Sequence, residues 1–118
     1  MTDATRYSDM IKAALDYCPD PDVTFEGVMA MLRESRGLAW YSPNAVMITE
    51  PGPRNLLHMS ICGGELDELL TILLPAVEKY ARDNGCKGLT GFGRAGWPRI
   101  LRKHGFESRA IYFEKDFA

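Results

Sequence analysis

Apolar residues recur at two different periods along this chain, and the changes of period mark out its elements. Ile11, Ala14, Leu15 and Cys18 fall at i, i+3, i+4 and i+7, which predicts a first helix over residues 5–17 with one apolar stripe. The prolines of Cys18-Pro-Asp-Pro-Asp22 stop it, since each lacks a donor and disfavours helix in the residue before it. Thr24 is then placed to cap a second helix reaching about residue 36. Phe25, Val28, Met29 and Leu32 would face inward there, with Gly37 as the left-handed terminator.

Short strands are expected over residues 38–42 and 45–49, joined by Ser42-Pro-Asn44. In Glu50-Pro-Gly-Pro-Arg54 the glycine is expected to take positive φ while the prolines preset theirs. Residues 56–62 form a near-continuous apolar run, the pattern of an interior strand covered on both faces. A long helix follows, with Leu66, Leu69, Leu70, Leu73, Leu74, Val77, Tyr80 and Ala81 on one stripe. Pro75 inside it implies a kink, or two helical pieces with Pro75 in the first turn of the second. Asn84-Gly85 ends it, a strand covers 86–92, Pro98 opens a short helix that closes at Gly105, and a last strand runs over 111–117. The order implies one domain of the α/β (α+β) class, a mixed β-sheet flanked by helices.

Composition narrows the options. A chain of 118 residues is one domain by length and buries enough surface to fold without metals or staples. Net charge of −2 argues against bulk attachment to nucleic acid or anionic membrane. No apolar run approaches the ~20 residues of a membrane span, and MTDATRYSDM lacks the layout of a signal peptide. Cys18, Cys62 and Cys86 are therefore expected as free thiols in a reducing cytosol. With no CxxC pair, and with His58 and His104 far apart, no metal is expected. All three cysteines read first as small buried hydrophobes, and Cys62, beside Gly63, is the one weak nucleophile candidate. His58 reads as a hydrogen-bonded core or cleft-edge residue ahead of a catalytic base.

Residues 56–106 carry a resemblance. A strand, a long helix ending in KYARDNGC, a strand, a short helix and KHGF before a last strand together resemble the second half of the GNAT superfamily of N-acetyltransferases. The GRAGW-x-R box resembles small GNAT-like proteins of bacteriophages and gene-transfer elements. The family implies acetyl-CoA as acyl donor, its pyrophosphate held by a Gln/Arg-x-x-Gly-x-Gly/Ala turn before the long helix. Here that turn reads Ile61-Cys62-Gly63-Gly64-Glu65-Leu66-Asp67-Glu68, without the basic or amide residue. Carboxylates in a first helical turn stabilise the helix by roughly 0.3–1 kcal/mol each. They would also repel a pyrophosphate, by on the order of 3 kcal/mol per charge pair at ~6 Å and a dielectric of ~20 before screening. The family's tyrosine acid, four positions before the glycine of its Gly-Phe pair, corresponds to Leu101, leaving Tyr112 as the substitute. The first strand of the family is also replaced by a helix.

Arg94, Arg99, Arg102, Lys103, His104 and Arg109 cluster around Trp97 and Phe106. Arginine and tryptophan are favoured interface anchors, which fits an acidic protein partner better than nucleic acid. Gly91-Phe-Gly-Arg-Ala-Gly96 fits the letters of a dinucleotide turn, but the helix after it is too short and no βαβ unit precedes it. The leading expectation is a non-catalytic GNAT-like domain, a phage-type virion-associated or host-interacting protein. Arg94, Trp97, Arg99 and Arg102 would anchor its partner, without cofactor or membrane contact, in the cytoplasm of a bacterial host or in a virion. The competing expectation is an acetyl-CoA-dependent N-acetyltransferase. In it, Cys62, Gly63 and Gly64 offer backbone N–H groups to the cofactor, and His58 or Tyr112 serves as catalytic base or acid. An enzyme requires an open cleft between the strands at 56–62 and 86–92. A binding protein requires that cleft filled and an exposed aromatic-basic patch around Trp97.

Overall fold

Thr24 does cap a helix. Its Oγ1 accepts the Gly27 N–H at 3.1 Å, opening α2 (Phe25–Arg33) behind α1 (Asp3–Leu15). The computed structural model describes residues 3–16, 18, 22–91, 97–108, 115 and 117. α2 ends in a Schellman motif in which the Arg36 N–H reaches the Met31 carbonyl at 2.9 Å and Ser35, at φ 57°, takes the left-handed position. The terminator is thus Ser35, not the expected Gly37. Gly37 is small for another reason: a Cβ there would meet the Met31 side chain and the Thr49 carbonyl, both at 2.9 Å.

Four strands form one mixed sheet in the order β1-β2-β3-β4: Leu38–Ser42, Ala45–Pro51, Leu56–Gly64 and Gly88–Gly91. β1, β2 and β3 are antiparallel neighbours, and β4 lies parallel to β3. The turn before β3 is a short 3₁₀ segment, Pro53–Asn55. Its left-handed residues are Arg54 and Asn55, both at φ 59°, while Gly52 sits at φ −111° and not at the positive φ expected of it. Asn55 earns the conformation through its side chain, whose Nδ2 donates to the Gly85 carbonyl at 2.8 Å. The strand expected over residues 111–117 falls almost wholly outside the described residues.

The long helix has three abutting parts: α3 (Leu66–Glu68), a π-turn (Leu69–Leu73) and α4 (Leu74–Asp83). Pro75 in the first turn of α4 explains the widening. Its ring would crowd the carbonyl of Thr71, and its missing N–H would leave that carbonyl unbonded in a regular helix. The Leu74 N–H instead reaches back five residues, to Leu69. α4 closes on Gly85 at φ 75°, with the Cys86 N–H bonded to the Ala81 carbonyl at 2.9 Å. The last described helix, α5, spans Trp97–Arg102.

Each face of the sheet buries its own core. Val46, Ile48 and Ile61 meet Ile11, Ala14, Val28 and Met31 of α1 and α2 on one face. Ala45, Met47, Leu57 and Met59 meet Leu69, Leu73, Leu74, Val77 and Ala81 on the other. Strand pleating sorts the two sets residue by residue.

Candidate functional site

The alternation along β3 is broken once, and the break makes the site. Ile48 pairs with Ile61, but the next residue, Thr49, pairs with Met59, so Ser60 is an extra residue in the strand. Met59 therefore belongs to the helix α3–α4 face, Ile61 to the α1/α2 face and Cys62 again to the α3–α4 side. On its other side β3 pairs with β4 as far as β4 is described. Its ladder with β4 begins at Leu56↔Gly88 and ends at Met59↔Gly91, while β3 runs on to Gly64.

A cavity of about 50 Å³ lies on the α3–α4 side of this point. Met59 and Cys62 form its floor, Leu66, Leu69 and Leu70 one wall, and Trp97, Ile100, Leu101 and Phe106 the other. Its lining is mostly apolar. It is about a third of the ~150 Å³ cavity that admits a benzene ring in another protein, which leaves room for a two-carbon acyl group. The left-handed Gly105, at φ 88°, turns the chain after α5 so that Phe106 folds back onto the wall, its N–H bonded to the Leu101 carbonyl at 3.2 Å.

Burial pushes the Cys62 thiol up to about 12, so it stays protonated at neutral pH and is no nucleophile. Gly63 is explained by packing: a Cβ there would meet the Met10 carbonyl oxygen of α1 at 2.7 Å. At Gly64, φ is +95° and a Cβ would meet the Asn44 carbonyl oxygen at 2.2 Å, so the end of β3 is closed against the β1–β2 turn.

The acids at the start of α3 divide into two roles. Glu68 is tied down, accepting from Ser42 Oγ at 2.7 Å, from the Asn44 N–H at 2.8 Å and from Asn44 Nδ2 at 2.9 Å. These bonds, Ser42 first and Asn44 second, hold its carboxyl below the usual carboxylate range, helped by the nearby charge of Arg6. Ser42 is itself fixed, its carbonyl accepting the Tyr7 hydroxyl at 2.5 Å. Glu65 and Asp67, on either side of Leu66 in the chain, are exposed.

His58 is not brought to the cavity. One position from Met59 on the pleat, it faces the opposite side of the sheet, in a cross-strand row with Glu50 and Thr90. Burial lowers its pKa, against the opposing effects of the Glu50 charge and of its hydrogen bond to the Thr90 backbone, so the neutral imidazole is favoured. On α5 the expected aromatic-basic cluster splits. Trp97 is half-buried and lines the cavity, whereas Arg99, Arg102, Lys103 and His104 are exposed on the outer face. Arg94, Arg109 and Tyr112 lie outside the described residues.

One feature escaped the sequence reading. Ser60 carries a buried hydroxyl with no hydrogen-bond partner among the described residues, at the bulge just past the described β3–β4 ladder. Nothing in a run of apolar residues marks a bulge. The second wall of the cavity was legible, since Trp97, Ile100 and Leu101 stand at i, i+3 and i+4 and so share one helix face.

No family model matches this sequence, and no curated protein matches it. Solved structures do. The chain is similar to an acetyltransferase of Trypanosoma brucei, with a TM-score of 0.62 and 12% identity over 98% of this chain and 93% of that one. It is also similar to the aminoglycoside antibiotic 6'-N-acetyltransferase of Acinetobacter haemolyticus in its apo form, with a TM-score of 0.61 and 12% identity over 100% and 97%. At such identity the likeness is one of fold, and the fold is that of the GNAT acetyltransferases.

Proposed function

We propose that this protein is an N-acyltransferase that takes a short-chain acyl thioester, acetyl-CoA being the reference donor, into the cavity between β3, α3 and α5. The observation that carries the reading is the largely apolar cavity lined by β3, the helix after it and α5. An acetyl group matches its size and its lining. The diphosphate of coenzyme A fits the same site less well, because Glu65 and Asp67 occupy the first turn of α3.

When bound, the thioester supplies an activated acyl carbon: an amine nitrogen attacks it, a C–N bond forms, the C–S bond breaks, and the sulfur leaves as a thiol with the proton the nitrogen gives up. The chain's own contribution is enclosure. Leu66, Leu69, Trp97 and Leu101 keep water from the acyl group. Cys62 stays protonated and does not capture the acyl group itself, which favours direct transfer to an amine over an acyl-enzyme. Ser60, at the bulge beside Met59, holds a buried hydroxyl unpartnered among the described residues.

The test is calorimetric titration with acetyl-CoA, run on the wild type, on Cys62→Phe to fill the cavity and on Glu65→Lys to reverse a rim charge. Binding to the wild type, loss in Cys62→Phe with the fold intact by circular dichroism, and about tenfold tightening in Glu65→Lys are expected. Equal binding by wild type and Cys62→Phe would remove the cavity from the account.

A second reading is a non-catalytic protein that works through its surface. It is favoured by the exposed arginines of α5 and by Leu101 standing where related enzymes carry a tyrosine. A phage-type role rests on the GRAGW-x-R pattern, of which the described residues include Trp97 and Arg99. Silence toward every acyl thioester in the same titration would favour this reading.

A further inference from the structure

The two helical elements that wall the cavity expose opposite charges, and that asymmetry bears on which thioester carrier docks there. On the α3 rim, Glu65 and Asp67 are exposed, while Glu68 is already engaged by Ser42 and Asn44. On the α5 rim, Arg99, Arg102 and Lys103 are exposed and make no ion pair among the described residues. This excess of positive charge stands out in a chain whose net charge is −2. On α5, Trp97, Ile100 and Leu101 turn inward to the cavity and the cations turn outward, so anything that covers the mouth from this side meets basic groups first.

Acyl thioesters travel on two kinds of carrier. Coenzyme A ends in a nucleotide with a diphosphate and a further phosphate, several negative charges concentrated in a small volume. A carrier protein presents the same pantetheine arm through a single phosphodiester, with its remaining charge spread over a protein surface. A compact polyanion beside Glu65 and Asp67 is penalised by repulsion. A folded acidic partner can set its charge against α5 and keep clear of α3.

Resting on the proposed reading that the cavity takes an acyl thioester, we propose that the donor is delivered by an acidic carrier protein that docks on the outer face of α5, with Arg99, Arg102 and Lys103 as its contacts. The arm passes over Leu101 into the cavity, and the carrier body remains on the basic rim.

Three probes separate the possibilities in calorimetry on the full chain: acetyl-CoA, acetyl-pantetheine without any phosphate, and an acidic acyl carrier protein loaded with acetyl-phosphopantetheine. The loaded carrier is expected to bind about tenfold more tightly than acetyl-CoA at low salt, and to lose that advantage as salt rises. The double variant Arg99→Glu with Arg102→Glu should weaken the carrier about tenfold while leaving acetyl-pantetheine unchanged, which also reports that the fold and cavity survive. Acetyl-CoA binding as tightly as the carrier, or a carrier indifferent to the arginine reversal, overturns this inference and leaves the acyltransferase reading standing. Binding by none of the three overturns both.

Discussion

The two faces of the sheet bury similar numbers of apolar side chains and use them differently. On the α1/α2 face, Val46 and Ile48 have no exposed surface, and Gly63 lets the backbone of α1 approach so closely that no side chain fits between. On the α3–α4 face, Val77 and Ala45 are equally buried, yet the packing stops short at Cys62 and leaves a cavity walled by α5. One bulge separates the two regimes. Close packing on the first face holds β3 in register up to Gly64. The first face stabilises, and the second leaves room for a ligand.

The largest effects should come from breaking the closed face. Gly64→Ala forces a side chain onto a positive-φ residue and into the Asn44 carbonyl, and is expected to cost about 3 kcal/mol in urea unfolding. Ile48→Ala should cost a similar ~2–4 kcal/mol, for the lost burial and the void it leaves. Substitution into the open face reverses the pattern. Cys62→Phe is expected to cost about 1–2 kcal/mol, less than Ile48→Ala, because the cavity takes part of the new ring, while it abolishes acyl-thioester binding. Equal stability losses at Ile48 and Cys62 would erase the distinction between the faces.

Smaller effects probe the joint between the faces. Glu68 is held ionised by Ser42 and Asn44 below its ordinary 4.5, so its contribution is present in full above that pH. As pH falls through the lowered folded value, that contribution disappears. Glu68→Gln should therefore lower stability near neutrality and change little at acid pH, which flattens the acid limb of a stability-versus-pH curve. His58 follows the same sign for a different reason. Its folded pKa lies below 6.5, so the unfolded chain binds the proton more readily and stability declines slightly as pH drops below that value. Thiol reactivity gives the mildest readout. With its thiol near 12, Cys62 should be the last of the three cysteines to react with iodoacetamide at pH 8, as read by mass spectrometry of the digested protein.

Local signals carried much of this fold. Thr24 as cap, the bounds of β1, the stripe from Leu66 to Ala81 and the Asn84-Gly85 stop were all readable, because each depends on residues within a turn of one another. The two glycines expected to take left-handed backbone, Gly37 and Gly52, do not. Ser35 and Asn55 take those positions under hydrogen bonds made elsewhere, and the glycines are small because distant side chains and carbonyls press on them. The candidate site was less legible for the same reason. The Ser60 bulge is a property of the register between β2 and β3, and register is set by packing on both faces at once. Trp97 was expected as a surface anchor because it stands among arginines, but the cavity takes the ring and solvent takes the charges.

The most direct test of the central claim is titration with acetyl-pantetheine, whose lack of phosphate removes the acidic rim of α3 from the comparison. Saturable one-to-one binding by the wild type that disappears in Cys62→Phe is the predicted result. No binding to the wild type at millimolar ligand, or binding untouched by Cys62→Phe, would contradict it.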